Sequence, residues 1–203
     1  ENEKKISAKY HNLKGLSKSS YISIIKQLRN WISSLSFKKE TSIWQNYSKE
    51  STYDNLEYNE KKLLVSEFVK KINPNTLIDL GCNDGDYSKL SIEAGAKYVV
   101  GFDFDHNTIS NAFKYKNKDK DNFLPLVLDA SNPSPNQGWL QKERKGFLER
   151  FKADALIALA FEHHLIIGKN VPMQQFIDWI IMISGKGLIE FVPKTDETVQ
   201  KML

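Results

Sequence analysis

The chain has 203 residues, the length of one ordinary domain with a small appendage. Its composition, 40% hydrophobic and 27% charged, is typical of a globular protein and excludes an intrinsically disordered one. One cysteine, Cys82, excludes a disulfide-stapled scaffold, and no run reaches the roughly 20 apolar residues of a membrane span. The net charge is +4, but only three of the 29 basic residues are arginine, so nucleic-acid binding is unsupported. The charged first residues lack the apolar region of a signal peptide, and a cytoplasmic location is expected.

Two amphipathic helices are predicted in the first 75 residues. Apolar residues at three- and four-residue spacing predict a helix from Ser20 to Leu35, with Ser20 as its cap. A second helix is predicted to open at Asn59 and to stop before Pro74. We therefore divide the chain into an N-terminal helical extension, 1–58, and a core, 59–203.

The core sequence alternates short apolar runs with helical patterns. Five strands are predicted at 76–80, 98–103, 123–129, 153–160 and 187–192, and their continuous apolar character indicates burial on both faces. Pro125 predicts that the third strand starts nearer Leu126. The helices predicted between the strands lie at 86–94, 105–115 and 172–184. This order predicts an α/β fold with a doubly wound, mostly parallel sheet.

The segment 77–88, LIDLGCNDGDYS, places a glycine-rich turn between a buried strand and a helix start. Gly81 and Gly85 would let the backbone turn tightly and approach a ligand closely. Asp103 ends the second strand, 22 residues after Gly81, where an acid can accept hydrogen bonds from both hydroxyls of a ribose. Asp129 ends the third strand. The sequence thus predicts a nucleoside site at the carboxyl edge of the sheet.

Two classes of cofactor use such a site: dinucleotides such as NAD, and the nucleoside S-adenosylmethionine. The charge of the turn distinguishes between them. A dinucleotide places its pyrophosphate on this turn, but here Asp79, Asp84 and Asp86 would repel phosphate. The turn also lacks the third glycine of the dinucleotide fingerprint. An ammonium and a sulfonium suit these acids, which favours S-adenosylmethionine over NAD.

At this point the sequence resembles a known family. LIDLGCNDGDYS is similar to motif I of the class I S-adenosylmethionine-dependent methyltransferases, which have a Rossmann-like fold. VVGFDFD and LVLDASNP are similar to the second- and third-strand motifs of that family. The stretch ALAFEHHLIIGKNVP with GLIEFVPKTDETVQKML resembles a bacterial branch labelled nodulation-protein-like.

The resemblance implies a role for each matching residue. The backbone of Gly81, Cys82 and Asn83 would pass along the methionine part of the cofactor, in the turn that Gly85 helps to form, and Asp79 would reach the amino group of the cofactor. Asp103 would bind the ribose with Phe104 against the adenine, and Asp129 would accept from the adenine amino group beside Ala130. Ala160 and Phe161 would line the methyl-donor end. The product would be S-adenosylhomocysteine.

Substrate choice is expected from two other segments. His163 and His164 follow the fourth strand, where one could act as a general base; in an extended chain they would point opposite ways. Adjacent histidines offer no useful metal-ligand spacing, so no metal site is expected. Trp44, Tyr47 and Tyr53 are candidates for a substrate lid. The chain lacks the Asn/Asp-Pro-Pro-aromatic motif of enzymes that methylate base amines, which favours a small-molecule acceptor.

Complete members of the family that the sequence resembles have a seven-stranded sheet. Here five strands are predicted, and Leu203 comes only eleven residues after the fifth. We therefore expect a fragment that lacks the last two strands. The sequence predicts a methyltransferase with an unidentified acceptor and an unspecified oligomeric state. Two alternatives remain: a non-catalytic cofactor-binding scaffold that uses its N-terminal helices for a partner, and an NAD-dependent oxidoreductase.

Overall fold

A computed structural model describes residues 15–36, 55–115 and 122–202. The chain separates into two compact units, residues 1–39 and 40–203. The predicted boundary between extension and core, at residue 58, stays a prediction.

The first unit contains helix α1, Lys18–Ser34. Its cap is Ser17, whose side-chain oxygen accepts a 3.1 Å hydrogen bond from the Ser20 N–H. The prediction of Ser20 as the cap was wrong by one turn, because three serines in this short segment offer the same capping oxygen. No side chain of α1 is buried.

The second unit holds the sheet and its helices. In chain order its elements are α2 (Asn55–Ile72), β1 (Thr76–Leu80), α3 (Asp86–Glu93), β2 (Tyr98–Asp103), α4 (His106–Tyr115), β3 (Phe123–Val127), a 3-10 turn (Trp139–Gln141), α5 (Phe147–Arg150), β4 (Ala155–Ala158), α6 (Glu162–Ile166), α7 (Met173–Ile183), β5 (Gly187–Ile189) and α8 (Glu197–Gln200). The strand order is β3-β2-β1-β4-β5, and every pairing between these strands is parallel. No helix in these described ranges is long and apolar enough to cross a membrane.

Two apolar layers cover the sheet because successive strand side chains point to opposite faces. Leu77 of β1 packs in one layer with residues of α2 and α4, such as Val65. Ile78 packs in the other with residues of α5 and α7, such as Phe147 and Ile180. The chain is therefore doubly wound, as predicted, and the central strands β1 and β4 are buried on both faces.

The edge strands depart from the prediction. β3 starts at Phe123 and contains Pro125, which pairs in register with Gly101 of β2. The predicted start near Leu126 was wrong because β3 lies at an edge, where a missing N–H can face away from the sheet. Both β3 and β5 alternate in exposure, so the prediction of two-sided burial fails for these two strands.

Candidate functional site

The five consecutive backbone N–H groups of the turn between β1 and α3 all have acceptors inside the protein. In chain order, Gly81 and Cys82 share the Phe102 carbonyl at 2.8 and 2.9 Å, Asn83 donates to Asp103 Oδ2 at 2.9 Å, Asp84 donates to Asn83 Oδ1 at 2.7 Å, and Gly85 donates to the Cys82 carbonyl at 2.9 Å. The turn is therefore rigid, and its N–H groups are not available to a ligand.

The two glycines of the turn are required by close packing. Both have positive φ, 77° at Gly81 and 91° at Gly85, which side chains rarely adopt. A Cβ on Gly81 would lie 2.8 Å from the Phe161 ring, and one on Gly85 would lie 2.6 Å from the Phe123 ring. Gly81 borders a cavity at the carboxyl ends of the strands, whereas Gly85 does not and serves the packing of the turn on β3.

Asp103, the last residue of β2, connects the turn after β1 with the segment after β2. Its Oδ2 accepts from the Asn83 N–H and its Oδ1 from the Asp105 N–H, both at 2.9 Å. Burial raises the pKa of this carboxyl. Phe104 follows with 63% of its surface exposed, and Lys169 Nζ lies 5.8 Å from its ring centroid. Asp103 and Phe104 both line the cavity.

Asp129 follows β3 and has two roles available to it. Its Oδ1 accepts from the Ser131 N–H at 3.0 Å and from Ser131 Oγ at 2.6 Å, which forms a local turn. Asp129 and the next residue, Ala130, also line the cavity. The carboxylate can therefore fix its own loop with one oxygen and present the other to a ligand.

Asp79 is a buried carboxyl at the centre of the sheet edge. It is 2% exposed, and Oδ2 accepts a 2.6 Å hydrogen bond from Ser88 Oγ on α3. Burial, with a smaller repulsion from Asp103, raises its pKa to about 7, although the Ser88 hydrogen bond opposes the shift. Asp79 is therefore close to half-ionised at neutral pH, and a nearby cation would complete its ionisation.

These groups meet around a cavity of about 370 Å³ at the carboxyl ends of β1, β2, β3 and β4. Its charged lining is strongly acidic: Asp79, Asp84, Asp86, Asp103, Asp105 and Asp129, against Lys61 and Lys169. Burial, and then repulsion from Asp86, raises the pKa of Asp84, as expected where like charges crowd. The cavity therefore favours a positively charged ligand.

The two histidines lie on the short helix α6, not in an extended segment. Their ring centroids are 4.1 Å apart because the chain turns there, so the opposite orientation expected of an extended chain does not arise. Only His164 lines the cavity, together with Ala160 and Phe161 just before the helix. Burial, and then repulsion from His163, lowers the pKa of His164 to about 4. His163 is 5% exposed and lies behind it.

Glu162 ties α6 to the segment after β5. Its Oε1 accepts a 2.7 Å hydrogen bond from the Val192 N–H, and its Oε2 lies 3.8 Å from His163 Nδ1. Glu162 and His163 are both almost fully buried, and neither of these two facing atoms has a hydrogen bond within the described ranges. The buried pair therefore fixes the backbone that carries His164.

Several cavity residues were not predicted from the sequence, among them Tyr58, Lys61 and Tyr87. Lys61 Nζ forms a salt bridge with Glu190 Oε2 after β5 and lies 5.7 Å from the Tyr87 ring centroid. Tyr58 and Lys61 are three residues apart on α2, which is the only signal in the sequence that they share a face.

The chain is similar in sequence to a nodulation protein. The chain is 48% identical over 189 residues to Nodulation protein NoeA of Rhizobium meliloti (strain 1021), which covers 93% of this chain and 40% of NoeA. It thus spans well under half the length of that relative. No family model matches the chain.

Two crystal structures share the architecture. WbdD superposes with a TM-score of 0.56 at 17% identity, over 84% of this chain and 37% of WbdD. The N-methyltransferase NodS from Bradyrhizobium japonicum WM9 superposes with a TM-score of 0.51 at 14% identity, over 73% of this chain and 82% of NodS. The chain has the Rossmann-like fold of the class I S-adenosylmethionine-dependent methyltransferases. The resemblance noted in its motifs is confirmed, as is the similarity to a nodulation protein.

In this methyltransferase fold most of the predicted cofactor residues surround one cavity. Those that line it are Asp79, Gly81, Cys82, Asn83, Asp103, Phe104, Asp129, Ala130, Ala160 and Phe161. Gly85 and His163 lie outside it. Trp44, Tyr47 and Tyr53 fall outside the described residues, so their role as a substrate lid stays a prediction.

Proposed function

We propose that this chain binds S-adenosylmethionine and transfers its methyl group to a small-molecule acceptor. The strongest support for the proposal comes from the turn between β1 and α3. Acidic side chains surround this turn, and its backbone N–H groups already donate to acceptors inside the protein. A pyrophosphate needs bare amides and a positive environment at this point. The turn offers neither, which disfavours the NAD-dependent alternative.

The residues fit the cofactor in the order that its parts would require. Asp103 would accept from the ribose hydroxyls, and the exposed Phe104 ring would pack on the adenine. Asp129 would accept from the adenine amino group with the oxygen that Ser131 does not use. Asp79 would face the ammonium, and the turn would meet the methionine part through carbonyl groups and packing.

Bound S-adenosylmethionine supplies a methyl group on a positively charged sulfur that leaves as a neutral thioether. The chain has to hold the acceptor in line with that bond and, where the acceptor loses a proton, to accept it. His164 lines the cavity and has a pKa of about 4, so its ring is neutral at pH 7 and can accept a hydrogen bond from the acceptor. His163 acts through it as a positioning residue.

A small acceptor is supported by the scale of the site. The cavity of about 370 Å³ lies in the size range of sites that bind small molecules. The scarcity of arginine gives no support to a nucleic-acid acceptor.

Calorimetric titration with S-adenosylhomocysteine and NAD tests the binding half of the proposal. We expect S-adenosylhomocysteine to bind and NAD not to. Asp103→Asn keeps the shape but removes the charge and one of the two oxygens that accept from the backbone, and should weaken binding by roughly 10- to 100-fold. Asp178→Asn, on the exposed side of α7, is the matched control and should bind like the natural chain. NAD binding alone would overturn the assignment.

A second assay tests the transfer half. Transfer of labelled methyl from S-adenosylmethionine to pooled small metabolites should depend on the chain. His164→Asn should slow transfer at least tenfold with unchanged S-adenosylhomocysteine affinity. Binding without transfer to any pool would instead favour the scaffold.

A further inference from the structure

Helix α1 presents a long apolar stripe that the described residues leave uncovered. Tyr21, Ile24, Ile25, Leu28, Trp31 and Ile32 recur at three- and four-residue spacing, and every one of them is exposed. Trp31 has 61% of its surface in solvent. At 100° per residue these side chains share an arc of roughly 120°. Soluble proteins rarely expose so large an apolar patch unless it binds something.

The charges of this segment have one sign. Residues 15–36 include Lys18, Lys26 and Arg29 and no aspartate or glutamate. On the helical wheel Lys18 and Arg29 fall at one edge of the stripe, and Lys26 falls on the polar face. Long basic side chains at such an edge can extend their charge away from the apolar surface that their stems cover. The helix therefore complements a surface that has an apolar layer beneath an anionic outer layer.

We propose that α1 binds the surface of an anionic lipid bilayer, with the stripe in the interface and the helix axis parallel to the membrane. A tryptophan on the apolar face and basic residues beside it are typical of helices that lie in the interface. Tryptophan has its own preference for this depth, because its ring is apolar and its N–H is polar.

The composition disfavours the other occupants of such a stripe. A second copy of the helix would bring three more positive charges to the contact with no acid to pair them, whereas paired helices place opposite charges at their flanks. Seventeen residues at 1.5 Å each extend about 26 Å, and the polar face is continuous, so the helix lies on the bilayer and does not span it. The sequence predicts no membrane partner, and the proposal departs from that expectation; it does not depend on methyl transfer.

Vesicle co-sedimentation of the 203-residue chain tests the proposal. Vesicles of phosphatidylcholine with 30% phosphatidylglycerol should bind the chain, and vesicles of phosphatidylcholine alone should bind it at least tenfold more weakly. Binding to the anionic vesicles should fall as salt is raised. Reversing both Lys26 and Arg29 to glutamate should weaken it by at least 25-fold, since each basic residue near an anionic surface contributes about fivefold.

Two matched tryptophan variants distinguish binding through the α1 stripe from nonspecific binding through any exposed tryptophan. Trp31→Ser should lower vesicle affinity at least tenfold, while Trp139→Ser, at an even more exposed tryptophan on the 3-10 turn, should not change it. Both variants should keep the affinity for S-adenosylhomocysteine measured without vesicles.

Any of three results would overturn the proposal. One is the absence of binding to anionic vesicles, or equal binding by Trp31→Ser. Another is a dimer in light scattering that Trp31→Ser converts to a monomer, which would assign the stripe to a second copy. The third is a loss of S-adenosylhomocysteine affinity in Trp31→Ser without vesicle binding, which would assign the helix to the predicted lid.

Discussion

The buried carboxyl of Asp79 should make cofactor affinity depend on pH. In the free protein its pKa is about 7, so at pH 5.5 the group is almost entirely protonated. The ammonium of S-adenosylhomocysteine would face the ionised form, so binding below pH 7 must first expel a proton. Affinity should therefore rise with pH, and the substitution Asp79→Asn should abolish the rise.

The size of the effect follows from linkage. If the pKa of Asp79 falls well below 5 in the complex, the dissociation constant should fall about 25-fold between pH 5.5 and pH 7.5. Close to one proton should be released per ligand at pH 6. Asp79→Asn should show neither effect, and at pH 7.5 it should bind about tenfold more weakly because a charge-assisted hydrogen bond is lost.

Calorimetry in two buffers of different ionisation enthalpy measures the affinity and the released proton together. Asp178→Asn should behave like the natural chain, since its side chain is exposed and outside the cavity. Two results would contradict the assigned role of Asp79. One is a change of less than threefold in the affinity of the natural chain over this pH range, and the other is a pH dependence that persists in Asp79→Asn.

Three further substitutions probe the same framework. Gly81→Ala should reduce S-adenosylhomocysteine affinity more than tenfold and cost about 1–3 kcal/mol of stability, because φ is 77° and the new Cβ would meet the Phe161 ring; Gly185→Ala, with open space around it, should change neither in the same titration and urea melts. Burial keeps His164 neutral, so the melting temperature of the natural chain should fall more than that of His164→Asn as pH drops from 6.5 toward 4, and equal falls would contradict the assigned pKa. Leu156→Ala, in a fully buried strand, should cost about 2–5 kcal/mol in urea unfolding.

The fold was predictable because its strongest signals are local. In the run Thr76–Leu80 the side chains of Leu77, Ile78 and Leu80 are apolar on both faces of the strand, as expected of a strand that is covered on both sides. The edge strands were harder, because their position in the sheet is set by the order of strands and not by their own residues. Pro125 is the clearest case: a residue that argues against a central strand is tolerated in β3.

Most of the cavity residues named from the sequence were predictable, since they lie at or just after the carboxyl end of a strand. The contacts made by Lys61 and Glu162 were not. Lys61 and Glu190 are 129 positions apart, and the Glu162 bond to Val192 spans 30, so no local pattern announces either contact. The histidines were identified but their geometry was not, because a five-residue helix has too little periodicity to be recognised.

The single thiol of the chain has a practical consequence. Cys82 is 6% exposed, and burial followed by repulsion from Asp79 raises its pKa well above the ordinary value, so it is almost entirely the unreactive thiol at neutral pH. A cysteine introduced at an exposed position, such as Ser33, can therefore be labelled with a maleimide dye without first removing the natural one. Slow alkylation of Cys82 itself would report how often the turn opens.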